Sequence, residues 1–296
     1  MKIRYWFAII AALVSAYLFF MNSDGLGNSQ KPELSTLIKP LEVTPYQTGI
    51  AGIDCIYCIN LDVRKEKWVS MEQRLSLQGM KANRVSAING WKDIPHEQVR
   101  KIKKPLKAKL NRGRIGCLLS HLSVMHDAKN RNLDRILVLE DDVNFISDMK
   151  NISSYLDKLS TLDPQWDILF LDDWNLVKII GDRPPADRPG SKMSQIIKKP
   201  KEIVEGTDFV RTYYRHGAYA MIISKKGIKK ICDYFDQTHV FCAYDLEFNH
   251  IENIRMYETN KDFVSVNLDI SDTSKKPKLL PSKQKLPAGA GKVKPV

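Results

Sequence analysis

"RILVLEDDVNF", Arg135 to Phe145, decides the fold: four apolar residues, Ile136 to Leu139, run into the carboxylates Glu140, Asp141 and Asp142 before the chain turns apolar again. A short apolar run bounded by charge reads as a buried strand whose end leaves the core. The acidic end has two readings. It can be simple solvation or capping of the next helix, or a carboxylate cluster that holds a hard divalent cation against phosphates.

Working outward, strand-like and helix-like stretches alternate. Upstream, "DCIYCINL" (Asp54 to Leu61) reads as a strand, and "KEKWVSMEQRLSLQG" follows it with Trp68, Met71 and Leu75 at helical spacing. "NRVSAING" reads as a short strand and turn, and "GCLLSHLSVMHDAKNRN" as a helix. Downstream come the helix-like "ISSYLDKLSTL", the strand "WDILFLDDW", the strand "GAYAMIIS" and the helix "KKGIKKICDYFD". This order predicts an α/β sandwich with a largely parallel central sheet, in which ligands sit at the carboxyl ends of strands. Two acidic clusters, Glu140 to Asp142 and Asp172 to Asp173, fall at such ends.

The chain has 296 residues, 43% of them hydrophobic and 27% charged, an ordinary globular composition with room for one large core. Its formal charge of +12 is unevenly placed: the last two dozen residues hold seven lysines and no acid after Asp272, and setting them aside leaves about +5. With no zinc-finger spacing and no aromatic-plus-basic RNA signature, a nucleic-acid partner is not expected. Of the five cysteines, Cys55 and Cys58 lie three apart in a strand. Their side chains should point to opposite faces, which argues against a bridge or a shared metal.

At the amino terminus Lys2 and Arg4 precede seventeen uncharged residues, Tyr5 to Met21, long enough for a single membrane-spanning helix. A cleavable signal peptide competes with an uncleaved anchor, and the apolar run past Ser15 and Ala16 favours the anchor. The basic residues in front and Asp24 behind would leave the tail in the cytosol. The expected organisation is therefore a tail and transmembrane anchor at 1–21, a proline-bearing stem at 22–50, a folded domain at 51–272 and a basic, disordered tail at 273–296.

On an extended backbone alternate side chains share a face, so Glu140 and Asp142 are expected together with Asp141 turned away. Two carboxylates on one side suit Mg²⁺ or Mn²⁺. From the residues alone His121 and His126 read as satisfied polar groups on one helix, and Trp91 and Trp174 by default as core or loop aromatics.

Five stretches in order resemble glycosyltransferase family 25, the lipooligosaccharide and procollagen galactosyltransferase family. They are "CINLDVRKEKW" (Cys58 to Trp68), "NRVSAING" (Asn83 to Gly90), "GRIGCLLSH" (Gly113 to His121), "ILVLEDDV" (Ile136 to Val143) and "YRHGAYAMIISKKGIKKI" (Tyr214 to Ile231). "AYDLEF" around Asp245 is similar to the family's last motif. The resemblance implies a GT-A-like, Rossmann-related fold and the transfer of a sugar, commonly galactose from UDP-galactose, with inversion. The acceptor would be a glycan, a lipooligosaccharide or a glycoprotein. By position, Asp142 with Glu140 or Asp141 would hold Mn²⁺ (or Mg²⁺) and the diphosphate. Asn60 and Arg64 would lie near the nucleotide, Ser120 and His121 would line the donor site, and His216 would lie near sugar or acceptor.

An inverting transfer also needs a base for the acceptor hydroxyl. Asp245 is the first candidate, with Asp172 or Asp173 behind it. One departure stands out: Arg114 occupies the place where the family block carries glutamate. It motivates the alternative of a catalytically inactive, glycosyltransferase-like binding or adhesion module at a membrane. Because donor nucleotides occur in the cytosol and the secretory lumen, an anchored enzyme is expected in a Golgi or ER lumen, or on the cytosolic face of a bacterial inner membrane.

Overall fold

Alternation along the inner strands sorts their side chains onto two faces, and each face carries its own core. The computed structural model describes residues 34–108, 110–172 and 201–266. In chain order the strands are β1 (Cys55–Asn60), β2 (Asn83–Ser86), β3 (Arg135–Glu140), β4 (Val143–Phe145), β5 (Ile168–Phe170), β6 (Lys201–Ile203), β7 (Phe209–Thr212), β8 (Ala220–Ser224), β9 (Met256–Thr259) and β10 (Val264–Val266). Eight of them make one sheet in the order β2-β1-β3-β8-β5-β9-β7-β6, and β4 pairs with β10 in a small antiparallel ribbon.

The strand pairings show six strands of the large sheet pointing one way, with β8 and β7 running against them. The sheet is thus mixed α/β and largely parallel in strand direction. The departure from the expected pattern is local: β8 inserts antiparallel between β3 and β5, and β7 between β9 and β6.

On one face Tyr57, Ile136, Val138, Ile168, Phe170, Met221 and Ile223 meet the helices Arg112–Asn130, Lys225–Gln237 and His96–Lys103 through Leu118, Leu122, Ile228, Ile231 and Val99. On the other, Ile56, Cys58, Leu137, Leu139, Leu169 and Ile222 meet Met71 and Leu75 of the helix Lys65–Leu77 and Leu156 and Leu159 of the helix Ile152–Leu162. Each of the large apolar side chains contributes about 1.5–3 kcal/mol through burial, which explains why both faces need a helical cover. Cys55 and Cys58 fall in opposite cores and are free thiols.

Residues 34–50, read from sequence as the second half of a stem, instead pack on the domain. Leu34 is buried, the Lys39 amide donates to Ser123 Oγ at 2.9 Å and the Thr44 amide to Asn83 Oδ1 at 2.8 Å. After a single 3-10 turn at Leu34–Thr36, Pro40 and Pro45 keep the segment from continuing as a helix, but its Leu and Ile side chains still find the core.

The single-pass membrane placement, in either compartment, is corrected. No helix among the described residues is long and apolar enough to cross a membrane. The run Tyr5 to Met21 on which the placement rested lies outside the described residues, as do Asp173, Trp174 and the basic tail at 273–296.

Candidate active site

Three loops converge at the carboxyl ends of β1, β2 and β3 and enclose a cleft with a cavity volume of about 80 Å³. Ile59 and Leu61 come from the end of β1, Ala87 to Trp91 from the turn after β2, and Glu140, Asp141 and Asp142 from the end of β3. Gly113, Cys117, Ser120 and His121 of one helix and Lys67 of another close it.

The turn after β2 is held against the helix Arg112–Asn130 by two glycines. A Cβ on Gly116 would come within 2.5 Å of the Ile88 carbonyl, and one on Gly90 would overlap the Arg112 carbonyl. Only bare backbones can approach so closely. Ser120 completes the junction, accepting from the Ile88 amide at 2.8 Å and donating to the Gly116 carbonyl at 2.7 Å. Ser120, expected to line the donor site, lies in the wall of the cleft with its hydroxyl engaged in this junction. Asn111 caps the helix by accepting from the Arg114 amide at 2.8 Å, and the Arg114 side chain is exposed.

The acidic cluster departs from simple alternation because β3 stops at Glu140 and the next two residues form a turn. Asp141 is not turned away from the cleft. It accepts from Asn60 Nδ2 at 2.7 Å and meets Lys67 Nζ at 3.3 Å, while Asp142 lies 4.0 Å from the same ammonium. Arg74 donates to the Asp141 carbonyl at 2.8 Å and anchors the turn.

Burial pushes the Asp142 carboxyl up to about 7; the Glu140 and Asp141 charges add to the rise and Lys67 opposes it. Asp141 is likewise raised by burial, against the pull of Lys67 and Asn60. Three carboxylates face one ammonium and, behind the turn, the Arg74 guanidinium, which leaves a net negative charge that fits a divalent cation with oxygen ligands.

Asn60 and Arg64 stand behind this cluster and not in the cleft wall. Asn60 Nδ2 also donates to the Arg64 carbonyl at 3.0 Å, its Oδ1 accepts from Arg84 Nε at 2.8 Å, and buried Arg64 pairs with Glu66 at 2.6 Å. Lys67 is the residue that sequence reading missed. Its only signal was its place in the first turn of a helix that follows β1.

His121 is fully buried, with Nε2 3.2 Å from Glu140 Oε1 and its ring stacked on Tyr244 at 4.5 Å between centroids. The stack brings the next residue, Asp245, beside the cleft. Burial holds the Cys117 thiol well above its ordinary range, and the charges of Glu140, Asp245 and Asp142 add to the rise. Asp245 accepts from the Gly217 amide at 2.6 Å and so holds the loop that carries half-buried His216.

Asp172 lies elsewhere. Its carboxylate takes Arg215 on one oxygen and the Tyr219 hydroxyl on the other, within a buried network that continues from Arg215 to Glu258 at 3.4 Å and from Glu258 to Lys201 at 2.5 Å.

A family model described as glycosyltransferase family 25 (LPS biosynthesis protein) matches residues 53–247. Human procollagen galactosyltransferase 2 is 26% identical over 200 residues, 64% of this chain and 29% of that protein. The mouse protein of that name is 30% identical over 199 residues, with the same shares of 64% and 29%. Human inactive glycosyltransferase 25 family member 3 is 26% identical over 129 residues, 40% of this chain and 22% of that protein. The chain thus spans less than a third of the length of these relatives. With about two thirds of its residues matched, and the matched segment holding every wall of the cleft, the chain belongs to glycosyltransferase family 25.

Proposed function

We propose that the chain transfers a sugar from a UDP-sugar to a hydroxyl of a glycan, lipooligosaccharide or protein acceptor, with inversion and with a divalent metal, and that residues 51–272 are its catalytic unit. Galactose is the sugar the relatives' names point to. The observation that carries the reading is the gathering of Glu140, Asp141 and Asp142 in the wall of the cleft, where burial and the neighbouring carboxylates hold Asp142 at about 7 although Lys67 lies 4.0 Å away. Asp142, with Glu140 or Asp141, would hold Mn²⁺ or Mg²⁺. When bound, that ion supplies positive charge against the departing diphosphate.

The chain's own residues divide the remaining work. Lys67, fixed between Asp141 and Asp142, adds a permanent cation beside the leaving group. Asn60 and Arg74 hold the Asp141 turn from behind, so the cluster is oriented before ligand arrives. Asp245 takes the acceptor proton: it lies beside the cleft, and the Gly217 amide keeps its carboxylate in place. His216 sits one residue from that amide and lines the acceptor approach. Asp172, whose two oxygens are both engaged by Arg215 and Tyr219, serves structure better than proton transfer.

A second reading, a glycosyltransferase-like binding module without turnover, draws on exposed Arg114 and on the family member named inactive. One experiment separates the two. Incubation with sugar-labelled UDP-sugars and Mn²⁺ should release or transfer label, UDP-galactose best, and Asp142→Ala should lower the rate by about a hundredfold, the scale of a few kcal/mol of lost charge stabilisation. Equal rates for both proteins would reject the metal assignment, and no turnover with any donor would favour the binding module.

A further inference from the structure

The acidic cluster is not used evenly. Asp141 and Asp142 face Lys67, whereas Glu140 faces a thiol and an imidazole on the helix Arg112–Asn130. Cys117 and His121 are four residues apart, so one helical face presents both. Glu140, the last residue of β3, is brought opposite them by the packing of strand and helix in a shared core.

We propose that Cys117, His121 and Glu140 form a second metal site in the wall of the cleft, selective for a borderline-soft divalent cation such as Zn²⁺. The donor set is one thiolate, one imidazole and one carboxylate, the mixture that Zn²⁺ accepts and that Mg²⁺ and Mn²⁺ do not seek. Their ligand atoms lie within 4.8 Å of one another. Bonds of about 2.0–2.3 Å in a tetrahedron require ligand separations of roughly 3.3–3.8 Å. His121 Nε2 to Glu140 Oε1 is already 3.2 Å and Cys117 Sγ to Glu140 Oε1 is 4.0 Å, so small side-chain rotations close the set.

Three protein ligands leave a fourth position, and all three residues line the cleft, so that position opens to ligand or solvent. The His121 ring is buried and stacked on Tyr244, which limits its movement. Its buried Nδ1 has no hydrogen-bond partner among the described residues, so none of them supplies the acceptor that usually steadies a zinc-bound imidazole. A reversible ion is expected on this ground, not a permanent structural one. Binding replaces the thiol proton, which passes to solvent.

The binding claim is independent of the proposed transfer reaction; one consequence rests on that reading. Glu140 belongs to both ligand sets, so Zn²⁺ here would compete with the Asp142 cluster for its carboxylate and should inhibit transfer that depends on Mn²⁺.

The full chain, treated with chelator and titrated with Co²⁺, tests the site directly. One equivalent should produce a thiolate-to-cobalt charge-transfer band in the near ultraviolet, displaced by one equivalent of Zn²⁺. The band should vanish in Cys117→Ser, persist in Cys242→Ser, and require at least tenfold more Co²⁺ in Glu140→Gln. Circular dichroism checks the fold of each variant; should Cys117→Ser not fold, His121→Gln takes its place with the same tenfold criterion. No band in the wild type, or a band unchanged in these variants, overturns the proposal. UDP binding with Mn²⁺, measured on the same preparation, keeps the two readings apart: intact UDP binding without a cobalt band rejects the second site alone, and the reverse result rejects the transferase reading alone.

Discussion

At the scale of single residues, Asp142 concentrates the site's electrostatics. Its folded pKa of about 7 lies above the ordinary value of about 3.9, so the folded state holds the proton more tightly than the unfolded chain. The stability this gives is fully present below about pH 4 and is lost as pH rises through about 7. Asp142→Asn, which stays neutral, should therefore gain on the wild type between about pH 5 and pH 8 by roughly 2 kcal/mol, or several degrees in Tm. Thermal melts in chelator across that range check it, and a pH-independent difference would contradict it. Adding Mn²⁺ at about pH 8 should raise the wild-type Tm and leave the variant's almost unchanged. Lys67→Met tests the same balance from the other side. Asp141 and Asp142 lose their cation, so chelator-treated stability at that pH should fall by about 1–3 kcal/mol in urea melts.

β3 and its acidic end were legible in the chain because four apolar residues run straight into three acids, although the residues alone left solvation and metal binding both open. Lys67 was not, because a lysine in the first turn of a helix looks like any solvated charge until the fold brings Asp141 to it from 74 residues away.

At the scale of elements, the junction of the β2 turn with the helix Arg112–Asn130 sets the width of the cleft. Gly90→Ala should cost about 3 kcal/mol, the upper end for overpacking, because its Cβ would meet backbone that cannot rotate away. Gly206→Ala is the control: its φ of +71° strains any side chain, but no atom of the described residues lies within 4 Å, and a cost of about 1 kcal/mol is expected. Equal urea midpoints for the two would contradict the assigned junction.

Elements with a clean period were readable: the helices Ile152–Leu162 and Lys225–Gln237 follow the apolar spacing of their sequences closely. β9 was not, because Glu258 and Thr259 sit fully buried in it and break the apolar pattern of a core strand. β6 failed for the opposite reason, being a largely exposed edge of three residues.

At the scale of the whole molecule, the far half of the sheet is tied together by charge. Arg215 is fully buried over the Phe170 ring and joins Asp172 after β5 to Glu258 in β9, which Lys201 of β6 also meets. Each ion is costly to bury alone, so Arg215→Met should destabilise by about 3–5 kcal/mol. The same substitution should change metal-dependent nucleotide affinity little in protein that remains folded, because the network lies outside the cleft. Strand order was hidden at this scale, since the place of β8 between β3 and β5 depends on pairing between segments about 50 or more residues apart in sequence.

The central claim is that the carboxylates at the end of β3 bind a nucleotide sugar through a divalent ion. Calorimetric titration of UDP into the chelator-treated chain, with and without Mn²⁺ and for wild type and Asp142→Ala, tests it most directly. Wild-type binding should require Mn²⁺ and weaken at least tenfold in the variant. Affinity that ignores both the metal and the substitution would contradict it.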